Sequence, residues 1–447
     1  MAKPTHLHPS DLRALARLVA DATVGVTGIV EAVHIGIAPP VPSPSGRGLG
    51  RGPATVEEPS PPVPSPPGRG SADAEEPSPN PSQRAGDQRR GGIAPLTYRT
   101  IRSATRFIGA GMDAALAPLE GLLGPRPGES PRLPTPQRRA ALAALNGVLG
   151  DYLAETNSPL ALPLTFHSGG AALPTDRAAL AAALPRATGR VLLLVHGLCL
   201  GDACWECAGG GLGGALAREL GYTPVAVSYN SGRHISTNGR ELAAGLDLLL
   251  GNWPRPVAEL VIVGHSMGGL VARSACHYGA GTEWPARLRA LITLGTPHHG
   301  TPLERGGNWI NIMMDGSPYA APFSRLGKGR SAGITDLRYG SLVDEDWHGH
   351  DRFAHREDER AIVPLPRGAR CYAVAGTLDG SAILENRATW RDRLLGDGLV
   401  PLDSALGRHA DPARALPFDD TWIAPATGHR DLLTRAEVIE RVGLWLE

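Results

Sequence analysis

The 447-residue sequence predicts an α/β fold, in which a mostly parallel central sheet is flanked by helices. From about Leu160 onward, apolar runs typical of strands alternate with stretches of helical periodicity. The run Val-Leu-Leu-Leu-Val at 191–195 contains no polar residue, as expected of a strand that is buried on both faces. The connections between these segments are short, which favours βαβ units and a single open sheet.

The elements of this sheet follow one another regularly along the chain. The strands are predicted at 190–195, 224–229, 259–263, 288–294 and 370–375, and the helices at 212–220, 235–250, 266–277 and 432–446. The interval between the last two strands is too long for a simple connection, so we expect a cap or lid at about 301–369. Its apolar residues fit a lipid-like substrate and ordinary core packing about equally well: Trp309, Ile310, Ile312, Met313 and Met314.

The chain before residue 160 has a different character. Residues 1–38 predict a helix, and residues 39–90 predict a disordered insert because they contain 14 Pro, 7 Gly and no aromatic residue. Residues 91–159 predict a helical extension, whose last helix begins at Pro136 and reaches about Leu153. These helices lack the Lys/Arg-rich face with Trp anchors of an interfacial helix, so we expect them to pack on the main domain, residues 160–447.

Composition excludes several classes of function. Lys and Arg together number 44, as do Asp and Glu, so the balanced charge gives no indication of nucleic-acid binding or of contact with an anionic membrane. The only lysines, Lys3 and Lys328, fit neither a phosphate loop nor a Schiff-base mechanism. Without a signal peptide or an apolar span, a cytoplasmic location is expected, whereas the oligomeric state stays open.

The cysteines give no clear metal signal. Cys199, Cys204 and Cys207 lie close together in the sequence, as in some zinc sites, but a structural zinc ion needs four ligands. Small residues filling a loop are the simpler interpretation. We therefore expect neither a metal ion nor a cofactor.

The strongest chemical signal is the pentapeptide Gly264-His265-Ser266-Met267-Gly268. It stands directly after a predicted strand and directly before a predicted helix. In that context Gly-x-Ser-x-Gly indicates a tight turn that raises the serine hydroxyl above the sheet as a nucleophile. Such a serine needs a neighbouring base to become reactive.

The base and the carboxylate that orients it are expected on the C-terminal side of Ser266. His429, before the last predicted helix, is the preferred base, and His409 is the second choice. The carboxylate that orients the base is predicted to be Asp397, which has a glycine on each side, with Asp379 as its rival. His265 is expected to point elsewhere.

An oxyanion hole requires two N–H groups that converge on the developing negative charge. The backbone N–H of Met267, at the start of the predicted helix, is the first candidate. The second is the N–H of Leu198, because Gly197 permits a bend after the strand that ends at Val195. His196 is interpreted as a structural histidine that binds this loop.

Taken together, these segments resemble the α/β-hydrolase superfamily, particularly lipase-like members related to the GPI inositol-deacylases and bacterial triacylglycerol lipases. The matching stretches lie in the family's order and are His196-Gly197-Leu198, Gly264–Gly269, Leu294–Gly300, Asp397–Pro401 and Gly428-His429. The resemblance implies a Ser266–His429–Asp397 triad, an oxyanion hole from the Leu198 and Met267 amides, and a mobile cap.

The implied activity is hydrolysis of a small-molecule ester or lipid through an acyl-enzyme. Two alternatives stay open: an acyltransferase with the same triad, and a non-catalytic lipid-binding protein of the same fold. A third is an interaction protein acting through its Pro-rich insert.

Overall fold

The computed structural model describes residues 136–206, 211–301, 331–351, 357–379 and 395–447. All of them belong to one compact unit of the chain. Four predictions lie outside the described residues: the helix at 1–38, the insert at 39–90, the extension up to residue 135, and the five apolar lid residues.

The secondary structure of the described part alternates as the sequence predicts. The strands are β1 (Thr165–Ser168), β2 (Ala171–Ala172), β3 (Arg190–Val195), β4 (Thr223–Ser228), β5 (Glu259–His265), β6 (Leu288–Leu294), β7 (Arg370–Gly376) and β8 (Asp420–Ala424). The helices are α1 (Pro136–Glu155), α2 (Arg177–Ala183), α3 (Gly211–Leu220), α4 (Ile235–Gly251), α5 (Met267–Tyr278), α6 (Ala332–Asp336), α7 (Leu402–Ala405) and α8 (Ala436–Leu446).

The strands form one mostly parallel sheet, with the order β2-β1-β4-β3-β5-β6-β7-β8 among the described residues. All neighbours from β4 to β8 pair in parallel, whereas β1 pairs antiparallel with both β2 and β4. Because parallel strands end at the same edge, this topology gathers the loops that follow β3, β5, β6, β7 and β8.

Helices cover both faces of the sheet, and the side chains of each strand alternate between the two layers. Leu193 and Ile262 belong to the core on one face, which includes residues of α4 and α5. Leu192 and Val261, one position earlier in the same strands, belong to the core on the other face, under α3 and α8. Burial on both faces explains why these strands appear as continuous apolar runs.

Helix α1 packs on the same domain, although it precedes the predicted boundary at residue 160. Its buried Asn146 side chain donates to the carbonyl of Leu160 at 2.8 Å and accepts from the N–H of Leu162 at 2.9 Å. Arg139, near its start, forms ion pairs with Asp202 and Glu206. The helix is thereby tied to the chain on both sides of β3.

Three strands are absent from the sequence prediction. β1 and β2 are two to four residues long, and β8 has its first two residues exposed, so none shows a continuous apolar run. In the interval 295–370 the described part contains α6 and a short turn of 3₁₀ helix, Asp344–Asp346. Residues 302–330 and 352–356 lie outside the described part, so the cap stays a prediction.

Candidate active site

Ser266 occupies a sharp turn between β5 and α5. Strand β5 ends at His265, helix α5 begins at Met267, and Ser266 between them has φ 55° and ψ −127°. A non-glycine residue at positive φ is strained and persists only where the surrounding structure enforces it. The Ser266 N–H donates to the carbonyl of Leu294 at 2.8 Å, which fixes the turn to the end of β6.

A close backbone approach explains the glycine two residues after the serine. A Cβ placed on Gly268 would lie 2.2 Å from the carbonyl oxygen of Val195 at the end of β3. No real side chain fits at that distance, so the start of α5 lies directly against β3. The turn in Gly-x-Ser-x-Gly therefore requires glycine here for space.

Asp397 and His429 form a buried pair at the ends of β7 and β8. The Nδ1 of His429 lies 2.7 Å from Oδ2 of Asp397. The other carboxylate oxygen accepts the N–H groups of Leu399 at 3.0 Å and Val400 at 2.9 Å. With Asp397 as acceptor, Nδ1 of His429 carries the proton, and Nε2 is left with a free lone pair.

Two polar atoms of this site are buried without a hydrogen-bond partner among the described residues. They are Oγ of Ser266 and Nε2 of His429. Buried polar atoms are normally paired, so such atoms in a native structure need an explanation. A hydroxyl donor and an imidazole acceptor left open at one edge of a sheet suit a nucleophile and its base.

His265 connects the serine turn to the histidine loop, which the sequence did not predict. Its Nε2–H donates to the carbonyl oxygen of His429 at 2.9 Å, and the two rings lie 4.8 Å apart. Burial, and then the neighbouring His429, hold the pKa of His265 well below its usual value, so this ring stays neutral. The only signal for it in the sequence was its position next to Ser266.

Gly295 lies against the same pair. A Cβ placed on it would lie 2.9 Å from Oδ2 of Asp397 and 3.2 Å from Nδ1 of His429, and its φ is 57°. The sequence Gly-Thr-Pro after β6 therefore begins with a residue that leaves room for the carboxylate and the imidazole.

The loop after β3 lies against Ser266. A Cβ placed on Gly197 would be 2.9 Å from Cβ of Ser266, and the next residue, Leu198, is buried. His196 stabilises this loop: its Nδ1–H donates to the carbonyl of Gly197 at 2.8 Å, and its ring stacks on Tyr229. Burial lowers the pKa of His196 to about 4, which keeps its imidazole neutral.

The family comparison agrees with this architecture. A family model described as a PGAP1-like alpha/beta domain matches residues 246–361. That segment includes the turn at Ser266, with β5 before it and α5 after it. The chain has an α/β-hydrolase fold. The resemblance drawn from the sequence is thereby confirmed at the level of the superfamily.

Solved structures with similarity to this chain include lipases and esterases. The mature form of the Bacillus licheniformis lipase BlEst2 is 20% identical, with a TM-score of 0.37 over 57% of this chain and 91% of the lipase. An esterase of Pyrococcus furiosus is 16% identical, with a TM-score of 0.36 over 58% of this chain and 81% of the esterase.

A thermophilic esterase from Thermogutta terrifontis is 16% identical, with a TM-score of 0.34 over 58% of this chain and 90% of the esterase. No curated protein matches the sequence. At these identities the likeness concerns the fold and says nothing about the substrate.

The sequence offered two alternative candidates, Asp379 and His409. The rival carboxylate Asp379 is exposed, on the loop that leaves β7 of the hydrolase fold. The second-choice base, His409, accepts the N–H of Asp411 at Nδ1 over 3.0 Å. The structure thus brings Asp397, and not Asp379, to Nδ1 of His429.

The described residues give no sign of a metal centre. Within them, no group of three or more His, Cys, Asp or Glu side chains is arranged to hold an ion. Cys199 and Cys204 form no disulfide bond with another described cysteine, while Cys207 lies outside the described ranges. Among the helices described, none is long and apolar enough to cross a membrane.

Proposed function

We propose that the protein is a serine carboxylic-ester hydrolase of the lipase and esterase type. One observation carries the proposal: the strained Ser266 and the Asp397-bound His429 present a buried hydroxyl and a buried imidazole nitrogen, both without a partner in the described part of the chain. This is the donor and acceptor pair that nucleophilic catalysis by serine needs.

In the first step, Ser266 attacks the carbonyl carbon of the ester. Nε2 of His429 takes the hydroxyl proton as the bond from Oγ to carbon forms, and the carbonyl electrons move onto oxygen. The tetrahedral intermediate then collapses and expels the alcohol, which receives the proton back from His429. Asp397 stabilises the imidazolium through its hydrogen bond to Nδ1–H.

The oxyanion is stabilised by the backbone N–H groups of Leu198 and Met267 in this mechanism. Met267 is the first residue of α5, where the helix dipole favours negative charge. Leu198 follows Gly197, whose contact with Ser266 brings the loop after β3 close to the nucleophile. Loss of one such donor typically lowers kcat by about 10²–10³-fold.

Water completes the cycle by hydrolysing the acyl-enzyme. His429 removes a proton from the water as it attacks the acyl carbon, and Ser266 leaves with that proton. The products are a carboxylic acid and an alcohol. The protein groups used in this cycle are those of Ser266, His429, Asp397, Leu198 and Met267.

The test is hydrolysis of p-nitrophenyl esters of graded chain length by the wild type and by Ser266→Ala. We expect turnover by the wild type, and its loss in Ser266→Ala with an unchanged melting temperature. Labelling by a fluorophosphonate should likewise require Ser266. Turnover retained by a folded Ser266→Ala protein would refute the assignment.

The same assay separates hydrolysis from acyl transfer. With an added alcohol such as glycerol, a hydrolase yields mainly the free acid, whereas an acyltransferase yields mainly the new ester. The chain length that gives the highest kcat/KM indicates whether the natural ester is lipid-like.

A further inference from the structure

Helix α1 lies outside the segment that the family model matches, yet its backbone touches the loop after β3. A Cβ placed on Gly147 would lie 2.3 Å from Sγ of Cys199 and 2.9 Å from both Cα and N of Cys199. Real side chains do not approach this closely. The backbone of α1 is therefore in direct contact with the residue that follows Leu198.

Helix α1 also contacts the loop after β4, which neighbours the loop after β3. The side-chain amide of Asn230 donates to the carbonyl of Gly150 at 2.8 Å. A Cβ placed on Gly232 would lie 2.1 Å from the carbonyl oxygen of Asn146. Helix α1 thus lies on two neighbouring loops at the carboxyl edge of the sheet, with no room for a side chain between the backbones.

Cys199 has a strained backbone at this contact. Its φ is 58°, in the left-handed region that favours glycine. Its N–H donates to Oγ of the buried Ser231 at 3.2 Å. Gly147 on one side and Ser231 on the other therefore maintain a conformation that a cysteine alone would not favour.

The inner side of the same loop faces the nucleophile. Gly197 approaches Cβ of Ser266 as described above, while Cys199 contacts Gly147. Leu198 lies between these two contacts, so its backbone is held from both sides.

We propose that Gly147 is a positioning residue for the oxyanion hole. It acts through Cys199, and helix α1 sets the direction of the Leu198 N–H without touching the substrate. The inference rests on the proposed function, and it assigns a catalytic contribution to a segment in front of the predicted catalytic domain. Only the chemical step that builds negative charge on the carbonyl oxygen should depend on Gly147.

The test is Gly147→Ala, assayed with a p-nitrophenyl ester. The added methyl group must displace Cys199, so we expect kcat to fall at least about tenfold, less than for complete loss of one oxyanion donor. KM should stay within about twofold, because ground-state binding is not altered. The Ki of phenylboronic acid, which forms a tetrahedral adduct, should rise in parallel with the loss of kcat.

The matched control is Gly443→Ala in helix α8. Apart from its chain neighbours and the backbone of its own helix, no described atom lies within 4 Å of a Cβ placed on Gly443, so this variant should keep the wild-type kcat. A second-site change should restore part of the activity, because Cys199→Gly removes Sγ and suits a φ of 58°. The Cα and N of residue 199 still lie 2.9 Å from the added Cβ, so we expect Gly147→Ala/Cys199→Gly to regain only part of the lost kcat.

The outcomes are separable. If the wild type itself hydrolyses no ester and takes no fluorophosphonate, the proposed function fails. If the wild type is active and folded Gly147→Ala has the same kcat and boronate Ki, the positioning role is refuted. Equal losses in kcat from Gly147→Ala and Gly443→Ala would refute it as well.

A milder variant tests whether the position of Cys199 matters to catalysis if Gly147→Ala does not fold. Ser231→Ala leaves the Cys199 N–H without its acceptor and loosens the loop from the other side. It should lower kcat and weaken boronate binding at nearly constant KM. Unchanged kcat and Ki in this variant would refute the proposal.

Discussion

Asp397 and His429 are joined by two hydrogen bonds, one between their side chains and one between their main chains. The side-chain bond measures 2.7 Å, and the backbone N–H of His429 donates to the carbonyl of Asp397 at 3.0 Å. The second bond does not depend on the carboxylate. The loop of His429 therefore stays attached when the charge of Asp397 is removed.

Asp397→Asn should consequently remove activity while leaving the fold intact. The amide oxygen can still accept from Leu399 and Val400, so its NH₂ group faces Nδ1 of His429. Nδ1 must then accept, and the proton moves to Nε2, where it blocks proton transfer from Ser266. We expect kcat to fall by up to about 10⁴-fold at an unchanged melting temperature.

Asp379→Asn is the matched control for that measurement, because Asp379 is exposed on the neighbouring loop. It should have wild-type kcat and KM. A larger loss in Asp379→Asn than in Asp397→Asn would contradict the assignment of the carboxylate.

His265→Phe tests the bridge between the serine turn and the histidine loop. Phenylalanine keeps a ring in the buried site but cannot donate to the carbonyl of His429. We expect kcat to fall about tenfold, and the free energy of unfolding to fall by about 1–3 kcal/mol because a buried carbonyl loses its donor. Urea unfolding and steady-state kinetics measure the two effects.

His277→Phe provides the comparison, since His277 is exposed near the end of the same helix, α5. This variant should match the wild type in both measurements. If His265→Phe also matched the wild type, the hydrogen bond to His429 would have no role in positioning it.

Stability should decrease in mild acid. Burial lowers the pKa of His196 to about 4 and holds the pKa of His265 and His298 well below the usual value of 6.5. Below pH 6.5 these histidines take up protons in the unfolded chain but stay neutral in the folded protein. The free energy of unfolding is therefore highest above pH 6.5 and decreases as the pH falls. For His196 the loss reaches about 3 kcal/mol by pH 4.

Melting temperatures at pH 7.5, 6.5, 5.5 and 4.5 check this expectation, with the largest decrease below pH 6.5. Replacing the buried His298 by Asn should flatten the decrease, because one proton-binding difference is removed. A constant melting temperature over this range would mean that these imidazoles titrate normally.

Much of the fold was predictable because its central strands are buried on both faces. β3 and β5 contain the apolar runs 191–195 and 260–263, β6 is mostly apolar, and the bounds of all three strands agree with the predicted ones to within two residues. The exposed edge of the sheet was not predictable in this way. β8 begins with Asp420 and Thr421, which face solvent, so no periodic signal marks it.

The site was predictable to the extent that it depends on local turns. Ser266 and Asp397 lie between glycines, which indicate sharp turns, and these turns exist. The role of His265 was not predictable, because its hydrogen bond joins residues 164 positions apart. The contact between Gly147 and Cys199 likewise depends on how α1 packs, which no local pattern encodes.

The sheet order determines when the candidate active site can become complete during synthesis of the chain. Leu198 and Ser266 leave the ribosome long before His429, and the loop of His429 is fixed only once β8 has added to β7 at the sheet edge. These long-range pairings are the slow events of folding. Under the proposed function, a nascent chain can therefore complete its central strands and still lack its base, and ester hydrolysis would begin only when the last strand docks.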